Sequence, residues 1–298
     1  MNVRFEDGVH DITSEEYHAA QGVSRSRLML LDKSPYHFWY ECLSGEAEPK
    51  SSKALDFGAA FHTMLLEPHL FDSEFAVKPK LQKLPEKMLL KDVGKEEFEK
   101  YKIELLYVQN QNAHLNAMFE REAKGKILLS NSDYEKTKQM VELIKRHEIV
   151  DTLLGDSSFE QSIFWTDKET GLQFKARPDI WSGKMIVDLK TSKDVNPKWL
   201  PRKALEFGYF LQAGMMHEAC KSIGKPFEMF VILAIEKEAP FVPSIFIMND
   251  KAIQYGIDQF QVYKKILSQC LEKDDWPSYP VQELTVPEWA RKQIEEEL

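Results

Sequence analysis

The chain is poor in cysteine, and its three cysteines, Cys42, Cys220 and Cys270, lie far apart in the sequence. Three thiols cannot supply a four-cysteine zinc site or an iron–sulfur cluster with four cysteine ligands. An odd number at such wide spacing is also unlike the disulfide framework of a small secreted domain. We therefore expect reduced, buried thiols in a cytosolic protein.

Long apolar runs are also absent, since no stretch approaches the roughly 18 residues that indicate a membrane-spanning helix. Residues 1–20 are polar and contain no signal-peptide core. There is no excess of basic charge either, because 39 basic residues stand against 48 acidic ones and the net charge is -9. A generally basic nucleic-acid coat is therefore excluded, and contact with a nucleic acid would need a local basic groove or a metal ion. We expect a soluble, cytoplasmic protein without membrane contact.

The 298 residues, 43% of them hydrophobic, are ample for one large domain core. Helical periodicity dominates residues 1–150, and strand-like alternation begins after residue 155. This order predicts an α/β (α+β-like) fold with a mixed, partly antiparallel central sheet flanked by helices. We expect a single domain with a mostly helical N-terminal part (1–150), a sheet-and-helix core (155–271) and a tail (272–298).

The individual elements are predicted from apolar spacing and turn residues. Residues 1–22 are expected to form a polar arm with little core, and Ser132 or Asp133 to cap a helix that ends near Ile149. Strands are predicted over Phe159–Trp165, Leu172–Ile180, Met185–Thr191, Phe227–Ile235 and Phe241–Met248. Long helices are predicted over Pro197–Ile223 and Asp250–Leu271.

The stretch Gly171–Thr191 gives the clearest indication of chemistry. Asp179 precedes Asp188 by nine residues, and Lys190 follows Asp188 by two. Side chains alternate along a strand, so a turn over Ser182–Lys184 brings Asp179 beside Asp188, with Lys190 one pleat further. Two adjacent carboxylates repel each other and need a cation, and hard oxygen ligands suit Mg²⁺ or Mn²⁺.

A surface hairpin carrying ordinary charge pairs would have the same spacing. Other features favour chemistry: Glu160 lies in an apolar strand, His62 on an apolar helix face, and the backbone carbonyl of Leu189 is available as a ligand at a strand edge. Tyr209 and Gln212 are one helical turn apart and project from the same side. Each residue also has an ordinary explanation, such as a solvated glutamate or a satisfied core histidine, so both interpretations remain open at this point.

A family resemblance joins these features. It is carried by the segments GVSRSRLMLLDKSPYHFWY, ALDFGAAFHTMLLEP, FEQSIFW, GLQFKARPDI, IVDLKTS and YFLQA. In this order they resemble the PD-(D/E)xK nuclease superfamily, and within it the RecE type (exodeoxyribonuclease VIII C-terminal domain), related to lambda exonuclease and the RecB nuclease domain. The resemblance covers about residues 20–270. It implies a restriction-endonuclease-like core and Mg²⁺-dependent hydrolysis of DNA from an end.

Carried over position by position, the resemblance implies that Asp179 and Asp188 are metal ligands. Lys190 would orient the attacking water and the phosphate. His62 and Glu160 would be metal-site or outer-sphere ligands.

On the long helix, Tyr209 and Gln212 match the tyrosine–glutamine motif that supports the site and the scissile strand. Met216 stands where the RecB-like version of this motif has a second tyrosine, so that second role is absent. The four cysteines of the iron–sulfur members of the superfamily are also missing, which points away from that branch.

Basic residues near the hairpin are candidates for lining the path of DNA, although ordinary surface charge is an equal alternative for each. They are Lys175, Arg177, Lys193, Lys198, Arg202 and Lys203. Arg25 and Arg27, which lie with Ser24 and Ser26 near a helix N-terminus, form a candidate pocket for a terminal phosphate. Helix capping with surface charge is the alternative there.

The predicted function is a Mg²⁺-dependent DNA exonuclease that degrades one strand from duplex ends during recombination, with Mn²⁺ able to substitute. The resemblance further implies a homo-oligomeric ring, a phage or prophage origin and a single-strand annealing protein as partner. Two alternatives remain: a structure-specific endonuclease on the same core, and a DNA-binding or assembly protein without catalysis. The intact Asp179, Asp188 and Lys190 argue against the second alternative.

Overall fold

The computed structural model describes residues 3–48 and 52–297. Strands in this part of the chain are β1 Gly8–His10, β2 Phe75–Val77, β3 Ile127–Leu129, β4 Ser158–Phe159, β5 Ser162–Thr166, β6 Gln173–Ala176, β7 Ile180–Ser182, β8 Met185–Ser192, β9 Met229–Glu236 and β10 Pro243–Ile247. Its helices are α1 Ser14–Ala19, α2 Arg25–Leu28, α3 Pro35–Cys42, α4 Lys53–Leu66, α5 Phe71–Glu74, α6 Lys95–Glu122, α7 Asn131–Lys145, α8 Val150–Leu154, α9 Leu200–Glu206, α10 Tyr209–Ser222, α11 Asp250–Lys273 and α12 Glu288–Glu297. Met29–Asp32 and Pro68–Leu70 form short 3-10 helices. None of the described helices has both the length and the apolar character needed to cross a membrane.

The central sheet has five strands in the order β10-β9-β8-β7-β4. β8 and β9 pair in parallel, and the other neighbours pair antiparallel. A second, antiparallel sheet has the order β1-β5-β6, and β2 pairs with β3 in parallel. This arrangement confirms the predicted mixed, partly antiparallel sheet.

Helices cover both faces of the central sheet. Along β9, Phe230 and Ile232 join the apolar cluster that includes residues of α10 and α11, whereas Val231 and Leu233 join the cluster of α4 and α7. The alternation follows from the two-residue period of a strand. Burial on both faces explains why β9 is apolar along nearly its whole length.

Two strands that the sequence predicts as continuous are each divided between the two larger sheets. Phe159–Trp165 is interrupted at Glu160, whose φ of 49° is left-handed, and Leu172–Ile180 is interrupted at Pro178. A left-handed residue redirects a strand, and a proline has no N–H to give to a ladder. The Glu160 N–H donates to the Asp179 carbonyl at 3.1 Å, so the two strand segments bend at the same corner.

The helix predicted over Pro197–Ile223 is also divided, because Gly208 adopts a left-handed φ of 68° between α9 and α10. A Cβ at Gly208 would lie 2.4 Å from the sulfur of Met29. Glycine is therefore required both by the backbone conformation and by the close packing. The break makes Tyr209 the first residue of α10.

Glycines also set the distance between α10 and α11. A Cβ at Gly214 would lie 2.1 Å from the carbonyl carbon of Gly256, and a Cβ at Gly256 would lie 1.8 Å from the carbonyl oxygen of Phe210. The two backbones therefore touch at this crossing. This contact fixes α10 against the body of the protein.

The N-terminal segment, defined as residues 5–20, corrects the expectation of an arm with little core. β1 pairs with β5, and Tyr17 and Ala20 pack against Phe164. The Asp7 carboxylate accepts the Thr166 N–H at 2.9 Å and the Thr166 hydroxyl at 2.8 Å. A few apolar residues in a polar stretch suffice here because an unpaired strand edge is available to receive them.

The predicted cap of α7 is likewise wrong. Ser130 is the N-cap, and its Oγ accepts the Asp133 N–H at 3.0 Å while its hydroxyl donates to the Asp133 carboxylate at 2.7 Å. Neither Ser132 nor Asp133 caps the helix, because the extended backbone that a cap requires is found at Ser130.

Candidate active site

The site lies at the corner where the chain passes between the two larger sheets. Glu160 occupies the break between β4 and β5, and Asp179 directly precedes β7. In the β7–β8 hairpin, Ile180 pairs with Val187, so Asp179 and Asp188 are adjacent in register, as the sequence predicts. One Asp179 carboxylate oxygen accepts the Leu189 N–H at 2.5 Å in a buried hydrogen bond. The hairpin therefore brings both aspartates to the same place.

His62 approaches the carboxylates from α4. Its Nδ1 lies 3.5 Å from Asp179 Oδ1 and 3.8 Å from Glu160 Oε1. Burial disfavours the charged imidazole, but the Asp179 and Glu160 carboxylates outweigh it and raise the pKa of His62 to about 10. The ligand atoms of the three residues lie within 4.8 Å of one another. This spacing is compatible with a shared divalent cation.

Asp188 lies beside this cluster and has partners of its own. Its Oδ2 is 2.5 Å from Lys190 Nζ, and its Oδ1 accepts the side-chain N–H of Gln212 at 2.6 Å. Burial raises the pKa of the Asp188 carboxyl and the Asp179 carboxylate adds to the effect, although Lys190 acts in the opposite direction. Only 2% of Asp188 is exposed, so these partners replace its contacts with water.

The first turn of α10 completes this side of the site. The ring of Tyr209 lies 5.3 Å from Lys190 Nζ, within the range of a cation–π contact. Burial and the Asp188 carboxylate raise the pKa of the Tyr209 hydroxyl to about 12. Met216, at the position without the second tyrosine, is buried and lines the same cavity. The structure thus brings Tyr209 and Gln212 to the predicted aspartate and lysine.

The Leu189 carbonyl is placed as the sequence suggests. Leu189 lies in β8, beyond the residues of that strand that pair with β7. On the edge of β8 that faces β7, the Leu189 N–H donates to the Asp179 side chain. A residue in a strand directs its N–H and C=O to the same edge, so the carbonyl faces the cluster side. Lys190 Nζ lies 3.4 Å from this oxygen.

A cavity of about 970 Å³ opens onto the cluster. It is lined by His62 and by two acids that sequence reasoning missed, Glu67 and Glu74; burial and Glu160 raise the pKa of Glu67. Residues 11–18 of the N-terminal segment and Arg25 also line it. The apolar spacing of the sequence does not indicate that these acids or the N-terminal segment line the cavity. The one signal is that Glu67 follows His62 closely in the segment that carries the resemblance.

Lys175 corrects the prediction that it lines a DNA path. It is only 2% exposed, and its Nζ donates to the carbonyls of Tyr17 and Ala20, each at 2.7 Å. Burial, together with nearby Arg27, lowers the pKa of Lys175 to about 8. An ammonium enclosed in this way cannot reach a phosphate, because leaving its carbonyl partners would strand them without donors.

Arg177 also departs from the expected exposed position. Its side chain is only 12% exposed, and the guanidinium is bound to Glu160, Ser162 and the N-terminal segment. It therefore belongs with the cluster of His62, Glu160 and Asp179 and not to an open basic groove.

The other basic candidates lie at or near the surface. Arg25 lines the cavity and donates to the Phe207 carbonyl at 2.8 Å, and Arg27 donates to the Gly22 carbonyl at 3.2 Å. Lys193 is exposed. The remaining three candidates are exposed or half-buried, and they are Lys198, Arg202 and Lys203.

Comparison with known proteins gives a family and a fold. The family model described as "PDDEXK-like domain of unknown function (DUF3799)" matches residues 24–282. The solved structure of a Eubacterium rectale protein named "Putative exonuclease" is similar to this chain with a TM-score of 0.59 at 15% identity, covering 93% of this chain and 97% of that one. The structure of SSO0001 has a TM-score of 0.25 at 12% identity, covering 43% of this chain and 67% of that one. No curated protein matches the chain.

Proposed function

The chain belongs to the DUF3799 family of PDDEXK-like domains, and on that premise we propose that it is a Mg²⁺-dependent DNA exonuclease that degrades one strand from duplex ends. The fold shared with the Eubacterium rectale protein is consistent with this activity. The family supports a nuclease acting on DNA, and the exonuclease specificity is the part that we add.

The observation that carries the proposal is the convergence of His62, Glu160 and Asp179, beside the pair of Asp188 and Lys190. The donor set fits a divalent cation, because it offers several carboxylate oxygens and one imidazole nitrogen, with the Leu189 carbonyl as a further oxygen. Mg²⁺ suits the oxygen ligands, and Mn²⁺ accepts the imidazole more readily. When bound, the ion supplies Lewis acidity and neutralises charge at the scissile phosphate.

The chain's own residues then have distinct tasks. Lys190, held between Asp188 and the Tyr209 ring, keeps a positive charge where negative charge develops on the phosphate. Gln212 holds Asp188 in place through its 2.6 Å hydrogen bond. The Asp179 and Glu160 carboxylates favour the protonated ring of His62, so His62 would have to give up that proton to serve as a ligand to the ion.

Contacts to DNA are assigned to the basic residues that remain accessible. Arg25 on the cavity wall is suited to a terminal phosphate, with Arg27 and Lys193 as weaker contacts to the backbone. From the resemblance we extend the proposal to recombination, a homo-oligomeric ring and a single-strand annealing protein as partner.

The test compares linear duplex DNA with covalently closed circular duplex, each incubated with the purified full chain and Mg²⁺. We expect release of nucleotides from the linear DNA only, and none when the ion is chelated or when Asp179 is replaced by Asn. Circles cut as fast as ends are resected would instead identify a structure-specific endonuclease. If neither substrate is cut, the proposed nuclease activity is wrong.

A further inference from the structure

Arg177 connects a metal-site carboxylate to the N-terminal segment. Its Nε lies 2.8 Å from Glu160 Oε2, and its Nη1 donates to the Ile12 carbonyl at 2.9 Å and to the Ser162 hydroxyl oxygen at 2.8 Å. The side chain is 12% exposed, so water replaces few of these contacts. The Ile12 carbonyl and the Ser162 hydroxyl therefore fix the orientation of the guanidinium, and its Nε is directed to Glu160.

The N-terminal segment, which binds one side of the Arg177 guanidinium, is held in place by contacts that do not involve Glu160. Lys175 binds the carbonyls of Tyr17 and Ala20, and Gln173 donates to the carbonyl of Phe5 at 2.7 Å. With the β1–β5 pairing, these bonds anchor the segment on both sides of Ile12. The segment precedes residue 24, where the match to the family model begins.

Glu160 needs such a partner. A glutamate side chain has three rotatable bonds, and fixing it in one orientation costs rotamer entropy. With Oε2 bound by Arg177, Oε1 is left facing His62 at 3.8 Å. The carboxylate is thus oriented before any ion arrives, which is the usual role of a residue behind a metal ligand.

We propose that Arg177 is a positioning residue that orients Glu160 for metal binding, and that the N-terminal segment supports the active site by holding Arg177 in place. This inference rests on the proposed metal-dependent function. A nearby positive charge also repels a cation, so orientation and repulsion oppose each other here. The three hydrogen bonds of the guanidinium and its shielding from water favour orientation as the larger effect.

The experiment measures Mn²⁺ affinity by titration calorimetry in full-length variants. Arg177→Lys keeps the charge but lacks the planar fork, and Arg177→Gln loses both. We expect each to weaken Mn²⁺ binding by about tenfold. In a Glu160→Gln background the same substitutions should have no further effect, because Arg177 acts through that carboxylate. Lys184→Gln, which breaks an exposed pair with Glu228, is the matched control and should leave the affinity unchanged.

A second measurement reports on the stability of the N-terminal segment that holds Arg177. Hydrogen exchange of backbone amides in residues 8–20 should accelerate in Arg177→Lys and remain at the wild-type rate in Lys184→Gln. If an Arg177 variant does not fold, Ser162→Ala removes only one partner of the guanidinium and should weaken Mn²⁺ binding by a smaller factor.

The outcomes separate the two proposals. If the wild-type protein binds no Mn²⁺, the proposed function fails. If it binds Mn²⁺ but the Arg177 variants bind equally well or more tightly, or weaken binding just as much without Glu160, the positioning role is overturned.

Discussion

Asp179 and Asp188 lie side by side at one hairpin, and their surroundings move the pKa values of their carboxyl groups in opposite directions. Burial disfavours ionisation of both. At Asp179 the neighbouring His62 and Lys190 outweigh burial and hold the pKa below its ordinary value. At Asp188 burial and the Asp179 carboxylate outweigh Lys190, and the pKa is raised. Each carboxylate therefore disfavours ionisation of the other, and a further cation would favour the charged form of both.

Replacing Asp188 by Asn should separate stability from activity. The substitution removes the repulsion from Asp179 and keeps an oxygen for the Gln212 donor, so the melting temperature of the metal-free protein should stay level or rise. DNA cleavage should fall at least about 100-fold, because the partner of Lys190 loses its charge. Thermal melting and nucleotide release measure the two effects, with the exposed Asp151→Asn as control. Full activity of Asp188→Asn would remove this residue from the site.

Gln212→Ala should lower the cleavage rate by about tenfold, since Asp188 Oδ1 loses its buried donor and the carboxylate is no longer held. Gln254→Ala removes a similar hydrogen bond, 2.8 Å long, from an exposed pair on α11 and serves as the matched control. Initial rates on linear duplex decide the comparison. Equal rates for the two variants would contradict a supporting role for Gln212.

Lys175 should make stability depend on pH. Burial, with Arg27, lowers its pKa to about 8 in the folded protein, whereas the pKa of an unfolded lysine is about 10.4. Between these values the unfolded state binds more protons, so the Lys175 contribution to the free energy of unfolding rises with pH and levels off outside this window. The slope is at most about 1.4 kcal/mol per pH unit.

Urea unfolding of the wild type and of Lys175→Met, at several pH values from 7 to 11, tests this prediction. The difference between the two free energies of unfolding cancels the titration of tyrosines and thiols common to both proteins. As the pH rises, the free energy of unfolding of the wild type should increase relative to that of Lys175→Met. A difference that does not change with pH would show that Lys175 titrates normally.

Gly256→Ala should destabilise the protein, because its methyl group would lie 1.8 Å from the Phe210 carbonyl oxygen at the contact of α10 and α11. We expect a loss of about 1–3 kcal/mol in the free energy of unfolding, together with lower activity as α10 and Gln212 shift. Gly94→Ala is the control, since an added Cβ there meets no atom within 4 Å. Chemical denaturation of both variants provides the measurement, and equal stability would show that the helices separate without cost.

The chain's local patterns predicted the mixed sheet and the β7–β8 hairpin. A period of two in the strands and a tight turn after Ser182 are short-range properties, and together they place Asp179 beside Asp188. The spacing of Tyr209 and Gln212 along one helix face was predictable for the same reason. The interruption at Glu160 was harder to foresee, since its left-handed backbone has no glycine to mark it.

The sequence by itself determined which residues share a strand or a helix face, because those relationships depend on neighbours a few positions away. Only the tertiary structure decided the partners of the charged residues. Lys175 binds a carbonyl 158 residues earlier in the chain, and Arg177 binds one 165 residues earlier. Both looked like surface charges because composition records a charge but not its burial. Whether a lysine or an arginine meets DNA or its own backbone depends on which distant segment packs against it, and that is settled only when the N-terminal segment docks on β5 and β6.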